Sequence, residues 1–321
     1  MTAPLITIGI TCFNAANTVE RAISSALAQT WRPIEVVVVD DCSSDSSYDI
    51  VKCLAKHHAE LRAFQNQRNV GVAATRNRII QEARGEFVAF FDDDDESLRG
   101  RVAAQLDRII AYERDFARGA PVICHTARHQ HYRDGSKRIA PTVGQTKGCI
   151  APFGLAVAER ILLGTRLVDC YGGCPACSQM GRLILYRSLG GFDPAFRRSE
   201  DTDFNIRLAM TGGHFVGLAD PYVVQTMTMT SEKTLSEEYR NVVALMEKHR
   251  GVMDRVGQYQ FCRRWIAAKH AWLERRHIDF SIAIGSLAIT HPVLTARRLA
   301  LAVPNIGLNR AFSRFHAQSE R

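Results

Sequence analysis

Four consecutive aspartates, Asp92 to Asp95, follow directly on the apolar run Phe87 to Phe91. Adjacent carboxylates repel one another, and a hard divalent cation relieves that repulsion while keeping coordination positions open for phosphate oxygens. The chemistry indicated is a metal–diphosphate site. Taken alone, the run also reads as a solvated turn in which Asp95 or Ser97 caps the helix that follows. Other polar clusters narrow the choice: Thr11 to Asn14 (T-C-F-N) and Asp40 to Asp45 (D-D-C-S-S-D) each end an apolar run, and Glu200-Asp201 follows the turn Gly190-Gly191-Phe192-Asp193.

These clusters need elements to position them. Leu5 to Thr11, Ile34 to Val39 and Phe87 to Phe91 read as strands, and Leu61 to Asn66 as a shorter one. Between them lie amphipathic helices, from Asn17 or Thr18 to about Gln29, from the Asp40–Asp45 cluster to about His58, and after Asn69-Val70-Gly71 a helix carrying Thr75, Arg76 and Asn77. Strands alternating with helices predict a doubly wound, mostly parallel sheet, in which ligands bind at the carboxyl ends of the strands. Thr11, Asp41 and the Asp92–Asp95 run all fall at that edge, which turn chemistry alone does not require. Further along, a helix is expected from about Leu98 to Arg118 and a strand at Val122 to Thr126. A polar, glycine-punctuated region runs to about Gly173, Leu183 to Arg187 is apolar, and a helix begins near Glu200 and runs to about Met210.

At 321 residues, 46% hydrophobic and 23% charged, the chain can bury a full core. Nine scattered cysteines form no even framework, so reduced thiols and a cytoplasmic setting are expected. No secretory leader is expected, because the N-terminal residues already read as a strand. The most apolar C-terminal stretch, Ile278 to Leu301, is interrupted by Asp279, His291, Pro292, Arg297 and Arg298 and is not read as a membrane span. From Tyr239 onward there are fourteen Lys or Arg against five Asp or Glu, an excess larger than the net charge of +8 for the whole chain. The basicity belongs to a helical C-terminal appendage.

Five motifs together resemble the family 2 glycosyltransferases. They are T-C-F-N at Thr11 to Asn14, V-V-D-D-C-S-S-D at Val38 to Asp45, N-V-G-V-A-A-T-R-N at Asn69 to Asn77, F-F-D-D-D-D at Phe90 to Asp95, and G-G-F-D-P-A-F-R-R-S-E-D-T-D-F at Gly190 to Phe204. The resemblance covers about Leu5 to Pro221. It implies the nucleotide-diphospho-sugar transferase (GT-A) fold, a Rossmann-like α/β architecture. It further implies that Thr11, Phe13 and Asn14 line the nucleotide site, that Asp41 accepts the imide N–H of uracil, and that Arg76 lies near the diphosphate. Asp92 would stand on the rim, Asp94 and Asp95 would bind Mn2+ or Mg2+, and Asp201 of the Glu200-Asp201 pair would be the general base. The physics agrees: a carboxylate accepts from an imide donor, a divalent cation offsets charge on a departing diphosphate, and a second carboxylate can take the proton of an attacking hydroxyl. For Glu200-Asp201 in isolation the simpler reading is a helix start, where acidic residues offset the dipole. Phe13 stands where the family often has Tyr, so only stacking remains there.

Three other signals are set aside. Gln260 to Trp265 (Q-F-C-R-R-W) is one residue too long for the Q-x-x-R-W motif of processive synthases, which favours a non-processive enzyme. Gly164-Thr165-Arg166-Leu167 lacks the glycine-rich context of a nucleotidyltransferase. Cys170, Cys174 and Cys177 would need a fourth ligand such as Cys149 or His125 to hold zinc. Where the family often has His after the last sheet element, Gln225 to Met229 (Q-T-M-T-M) stands instead.

The expectation is therefore a metal-dependent, inverting, non-processive transferase. It would move a sugar from a nucleotide diphospho-sugar, a UDP-sugar first, to a hydroxyl of a glycan or lipid-linked acceptor in cell-surface polysaccharide or glycolipid synthesis. Residues 1–230 would form the GT-A domain, with 1–118 the donor half and 119–230 the acceptor half, and 231–321 the helical region. The basic helices have two readings, an anionic surface on the inner face of the cell membrane or a lid or dimer face; nucleic acid is not an expected partner. The rival functions are a sugar-phosphate nucleotidyltransferase and a non-catalytic protein that binds nucleotides or an anionic surface.

Overall fold

The computed structural model describes residues 3–132, 134–227 and 234–302. Its strands are β1 (Ile6–Cys12), β2 (Ile34–Asp40), β3 (Leu61–Gln65), β4 (Phe87–Asp92), β5 (Glu96–Ser97), β6 (Val122–His131), β7 (Lys137–Ala140), β8 (Gln179–Arg182) and β9 (His214–Thr226). The helices are α1 (Val19–Leu27), α2 (Ser47–His57), α3 (Val72–Glu82), α4 (Arg101–Tyr112), α5 (Leu155–Leu163), α6 (Leu183–Ser188) and α7 (Glu200–Met210). They continue with α8 (Leu235–Lys248), α9 (Arg250–Asp254), α10 (Tyr259–Leu273), α11 (His277–Thr290) and α12 (Pro292–Ala302). One sheet runs in the order β3-β2-β1-β4-β8-β6-β9-β5, with β7 on β6.

The first half of the sheet is parallel throughout. β1 pairs with β2 and β4, and β2 with β3. Every residue of β2 is buried, as are all but the last residue of β4, which is why both read as unbroken apolar runs. Their side chains join Val19, Ile23, Val102, Leu106 and Ile109 from α1 and α4 in one core. β8 enters antiparallel between β4 and β6, and β9 returns parallel to β6, so most paired positions are in parallel ladders.

Two departures from the expected elements, at the start of α4 and the end of β6, share a cause in tertiary pairing. The helix expected from Leu98 starts at Arg101, because Glu96 and Ser97 pair with β9 and Leu98 N–H donates to Tyr222 O. It ends in a π turn, Glu113–Ala117, closed by Arg118 and Gly119 at positive φ. β6 continues past Thr126 to His131 through an irregularity at Ala127, since β7 and β9 supply partners beyond that point.

The chain divides into two compact units. One holds residues through Ala158 together with Arg166–Met227; the other holds Glu159–Thr165 and the C-terminal helices. The boundary expected between residues 230 and 231 lies outside the described residues. Within the second unit α10 packs with α8 and α11, burying Phe261, Cys262, Ala268 and Leu287. No helix among the described residues is long and apolar enough to cross a membrane.

Candidate active site

The parallel strands deliver their ends to one edge. Thr11 is half-buried and in register with Val39 on one side and Asp92 on the other. Phe13 is 47% exposed, and its N–H donates to Asp93 Oδ2 at 2.8 Å, which holds an apolar ring at the rim. Asn14, at φ 49°, braces the neighbouring loop: Oδ1 accepts from Ser44 N–H at 2.8 Å, and its own N–H donates to Ser43 Oγ at 2.9 Å. Its side-chain oxygen therefore serves the loop.

Asp41 is buried and accepts three hydrogen bonds, from Asn66 Nδ2 at 2.9 Å, Val70 N–H at 2.9 Å and Gly71 N–H at 2.8 Å. It fixes the turn before α3, which Gly71 makes at φ 87°. A carboxylate has about four acceptor positions, so one remains for an imide N–H.

α3 then carries Arg76 across the site. Its Nη1 donates to Glu200 Oε1 and its Nη2 to Asp92 Oδ1 at 3.1 Å, with the side chain 5% exposed. Burial opposes the charge on Arg76, but Asp92, Glu200 and Asp201 outweigh it and hold the guanidinium above its ordinary value. One side chain thus ties the end of β4 to the start of α7. Asn77, the next residue, clamps the turn before α7, exchanging hydrogen bonds of 2.7 Å with both the N–H and the carbonyl of Phe192. Gly191 has φ 72°, and a Cβ there would lie 2.2 Å from Asn77 Oδ1, so the clamp admits only glycine.

Glu200 and Asp201 open α7. Burial lifts Glu200 above the usual carboxylate range; Arg76 opposes the shift and the charge of Asp201 adds to it. Asp201 is half-buried, and its Oδ1 accepts from Thr202 N–H at 2.6 Å and Thr202 Oγ1 at 3.2 Å. Asp203 is fully buried and accepts from Arg207 Nε at 2.8 Å, while the Nη atoms of Arg207 hold the carbonyls of Leu189 and Gly191. Asp203 is a structural anchor of the turn.

In the acidic run, burial pushes Asp93 up to about 8. Burial, followed by the charges of Asp92 and Asp94, also raises Asp95 well above the carboxylate range. Asp95 Oδ1 accepts from Thr226 N–H at 3.1 Å, while Oδ2 is buried without a hydrogen-bond partner among the described residues. One group of ligating atoms among the described residues could hold a metal ion: Asp92, Asp95 and Cys177, whose atoms lie within 4.8 Å of one another. Asp94 lies outside that trio, half-buried in the same turn, where its carbonyl accepts from Arg21 Nη2 at 2.8 Å. The orphaned oxygen of Asp95 and the oxygen-rich donor set fit a divalent cation.

Sequence reasoning missed the residues around this trio. Arg101 is fully buried, donates to Ser97 Oγ at 2.8 Å and Phe90 O at 2.9 Å, and is lowered to about 10 by burial, against the attraction of Cys177, Asp95 and Asp92. Arg128 donates to Gln225 Oε1 at 2.8 Å, and Gln225 Nε2 reaches Cys177 Sγ at 3.7 Å. No local pattern marks these positions; Arg101 reads as an ordinary helix residue and Arg128 lies beyond the expected end of its strand. Cys170 and Cys174 do not join a ligand group with Cys177, and Cys149 is exposed. Gly164 ends α5 at φ 60°, so G-T-R-L is a helix stop. Of the segment Gln225 to Met229, the last two residues lie outside the described residues.

The likeness to known proteins agrees with this architecture. The chain is 30% identical over 102 residues to the Escherichia coli UDP-Glc:alpha-D-GlcNAc-diphosphoundecaprenol beta-1,3-glucosyltransferase WfaP, covering 32% of this chain and 40% of the relative. Other curated relatives are likewise matched over less than half their length, as with 41% of Bacillus subtilis TuaG and 30% of Rhizobium meliloti ExoO. Among solved structures, residues 1–349 of Staphylococcus aureus TarS in complex with UDP-GlcNAc align with TM-score 0.56 at 16% identity, over 98% of this chain and 91% of that one. The Pyrobaculum calidifontis mannosyltransferase PcManGT, in complex with GDP-Man and Mn2+, aligns with TM-score 0.58 at 16% identity, over 99% and 85%. These similarities place the fold among the GT-A glycosyltransferases. With the sequence model "Glycosyl transferase family 2" matching residues 7–174, just over half its length, the chain belongs to glycosyl transferase family 2.

Proposed function

We propose that this glycosyltransferase moves a sugar from a nucleoside diphospho-sugar, a UDP-sugar first, to a hydroxyl of a glycan or lipid-linked acceptor, with inversion and with the help of Mn2+ or Mg2+. The observation that carries the reading is the Arg76 bridge, which joins Asp92 at the donor-side strand end to Glu200 beside Asp201. Residues 1–118 would serve the donor and 119–230 the acceptor. The WfaP and TarS names support a uridine donor, and PcManGT supports a divalent cation. The pathway would be synthesis of a cell-surface polysaccharide or glycolipid at the cytoplasmic face of the membrane.

In this mechanism the ring of Phe13 stacks on the base and the remaining acceptor position of Asp41 takes an imide N–H. Asp92 and Asp95 would hold the cation, with Asp94 the further ligand that the motif assigns. A divalent cation bound there offsets the charge gathering on the diphosphate as it leaves. Asp201 takes the acceptor proton as the hydroxyl attacks the anomeric carbon opposite the nucleotide. Arg76 holds Glu200 in place by occupying its Oε1, which leaves Asp201 as the base.

The test is to incubate the protein with Mn2+ and a panel of nucleotide-sugars and record which releases its nucleoside diphosphate. EDTA should abolish transfer and Mn2+ restore it. Asp94→Asn and Asp95→Asn should each cost far more activity than Asp93→Asn; full activity in chelator, or equal losses at all three positions, removes the assignment. The basic helices support a second element of the reading. Ile278, Ile282 and Ile289 of α11, at 77%, 67% and 84% exposure, recur on one helical face, and a basic unit with such a face suits an anionic membrane surface. Flotation with anionic liposomes tests it; protein left at the bottom at low salt excludes the membrane.

A further inference from the structure

The acidic trio differs from an all-oxygen cation site in one atom, the sulfur of Cys177. Its place follows from topology. β8 runs antiparallel to β4 with Phe87 opposite Arg182 and Ala89 opposite Met180, and the same register extended three positions sets Cys177 opposite Asp92. Cys177 sits in the 3-10 turn Ala176–Ser178 just before β8, a turn that packs against β4, and it is buried to 3% exposure. Gln225 then presents its Nε2 to Sγ at 3.7 Å, an orientation set by Arg128 and Gln130, which both donate to its Oε1 at 2.8 and 3.0 Å. The sulfur is thus held as an acceptor among Asp92, Asp95, Arg101 and Arg128. The buried Oδ2 of Asp95 shows that this pocket has an oxygen without a donor among the described residues.

We propose that Cys177 is a ligand of the divalent cation, bound as the thiolate beside Asp92 and Asp95, its thiol proton passing to solvent when the metal binds. The inference rests on the metal reading above. Carboxylate oxygens alone suit Mg2+ and Mn2+ alike, whereas a thiolate favours cations that accept soft ligands. The site should therefore favour Zn2+ or Co2+, and disfavour Mg2+, more than an all-oxygen site would. The three atoms span at most 4.8 Å, which bonds of about 2.0–2.3 Å bridge after a small contraction.

Cobalt reports the ligand directly. In the full chain with UDP and Co2+, visible d–d bands should appear together with a near-ultraviolet sulfur-to-cobalt charge-transfer band. Cys177→Ser should lose the charge-transfer band, keep d–d bands, and bind Co2+ and Zn2+ more weakly by at least the ~10-fold that loss of an outer-shell partner costs, with a smaller change for Mg2+. Asp95→Asn should weaken both sets of bands. A wild-type cobalt complex with d–d bands and no sulfur band overturns the proposal while leaving the metal reading intact, and it needs no variant to fold. A sulfur band that persists in Cys177→Ser assigns the ligand to another cysteine and also overturns it. If no d–d bands form, or Asp95→Asn leaves them unchanged, the metal reading falls and this proposal with it.

Discussion

The two acidic centres of the active site are built on opposite electrostatic terms. At the start of α7, Glu200 is buried and lifted above the usual carboxylate range, but Arg76 donates to it and offsets part of that cost. Just past the end of β4, Asp95 is as deeply buried, yet one of its oxygens has no donor among the described residues, and Asp92 and Asp94 stand beside it. Arg76 and Asp92 touch both centres. A buried carboxylate without compensation is costly and is suited to an outside cation, whereas one paired with an arginine has part of that cost offset within the protein. The contrast supports the proposed metal at one centre and the proposed proton transfer at the other.

The strongest way to break that contrast is at the compensated centre. Asp201→Asn keeps size and most hydrogen bonds but removes the base, so transfer should fall by about two orders of magnitude or more. UDP affinity by calorimetry in Mn2+ should stay nearly unchanged. Transfer that survives in Asp201→Asn and vanishes in Glu200→Gln moves the base to Glu200; loss of UDP binding moves Asp201 to the donor side.

The compensation itself can be removed next. Arg76→Met leaves Glu200 buried without its partner, which should destabilise the fold by ~3–5 kcal/mol in denaturant unfolding. Arg76→Lys restores a charge but lacks the planar fork that spans Asp92 and Glu200, and should recover only part of the loss. Equal stability of wild type and Arg76→Met would mean the pair contributes nothing net.

A smaller effect belongs to the donor rim. Phe13→Ala should weaken UDP binding by ~1–3 kcal/mol, the usual worth of an aromatic–base stack, with little change in thermal stability because the ring is exposed. Unchanged UDP affinity would show that the ring does not touch the base.

The least effect concerns the network that seats α7. His125 is buried, its Nε2 lies 3.3 Å from Gln179 Nε2, and Gln179 reaches Asn205 on α7 at 3.3 Å. Burial, with Arg128 and Arg101 nearby, lowers His125 from near 6.5 to about 3. The unfolded chain therefore takes up a proton that the folded one refuses. Stability from this group is full above about 6.5 and is lost as the pH falls toward about 3. His125→Gln should flatten that part of the acid-unfolding profile, and an unaltered slope would place the acid sensitivity elsewhere.

Much of this design is written locally. The unbroken apolar runs of β1, β2 and β4 announce strands buried on both faces, and parallel winding sends every such strand end to one edge. Thr11, Asp41 and the Asp92–Asp95 run could therefore be placed together from the chain alone, as could α7 behind its glycine turn. The contacts between distant segments could not. Arg76 reaches a residue 124 positions away, and Asp41 spends most of its acceptor capacity on Asn66, Val70 and Gly71. Cys177 meets Asp92 only because β8 slots antiparallel beside β4 in one register. The start of α4 was displaced by the β5–β9 pairing for the same reason. Side-chain period and strand ends are properties of neighbours in sequence, whereas register and packing between segments far apart are settled by the whole fold, and that packing decided which carboxylate met an arginine and which kept an oxygen without a donor among the described residues.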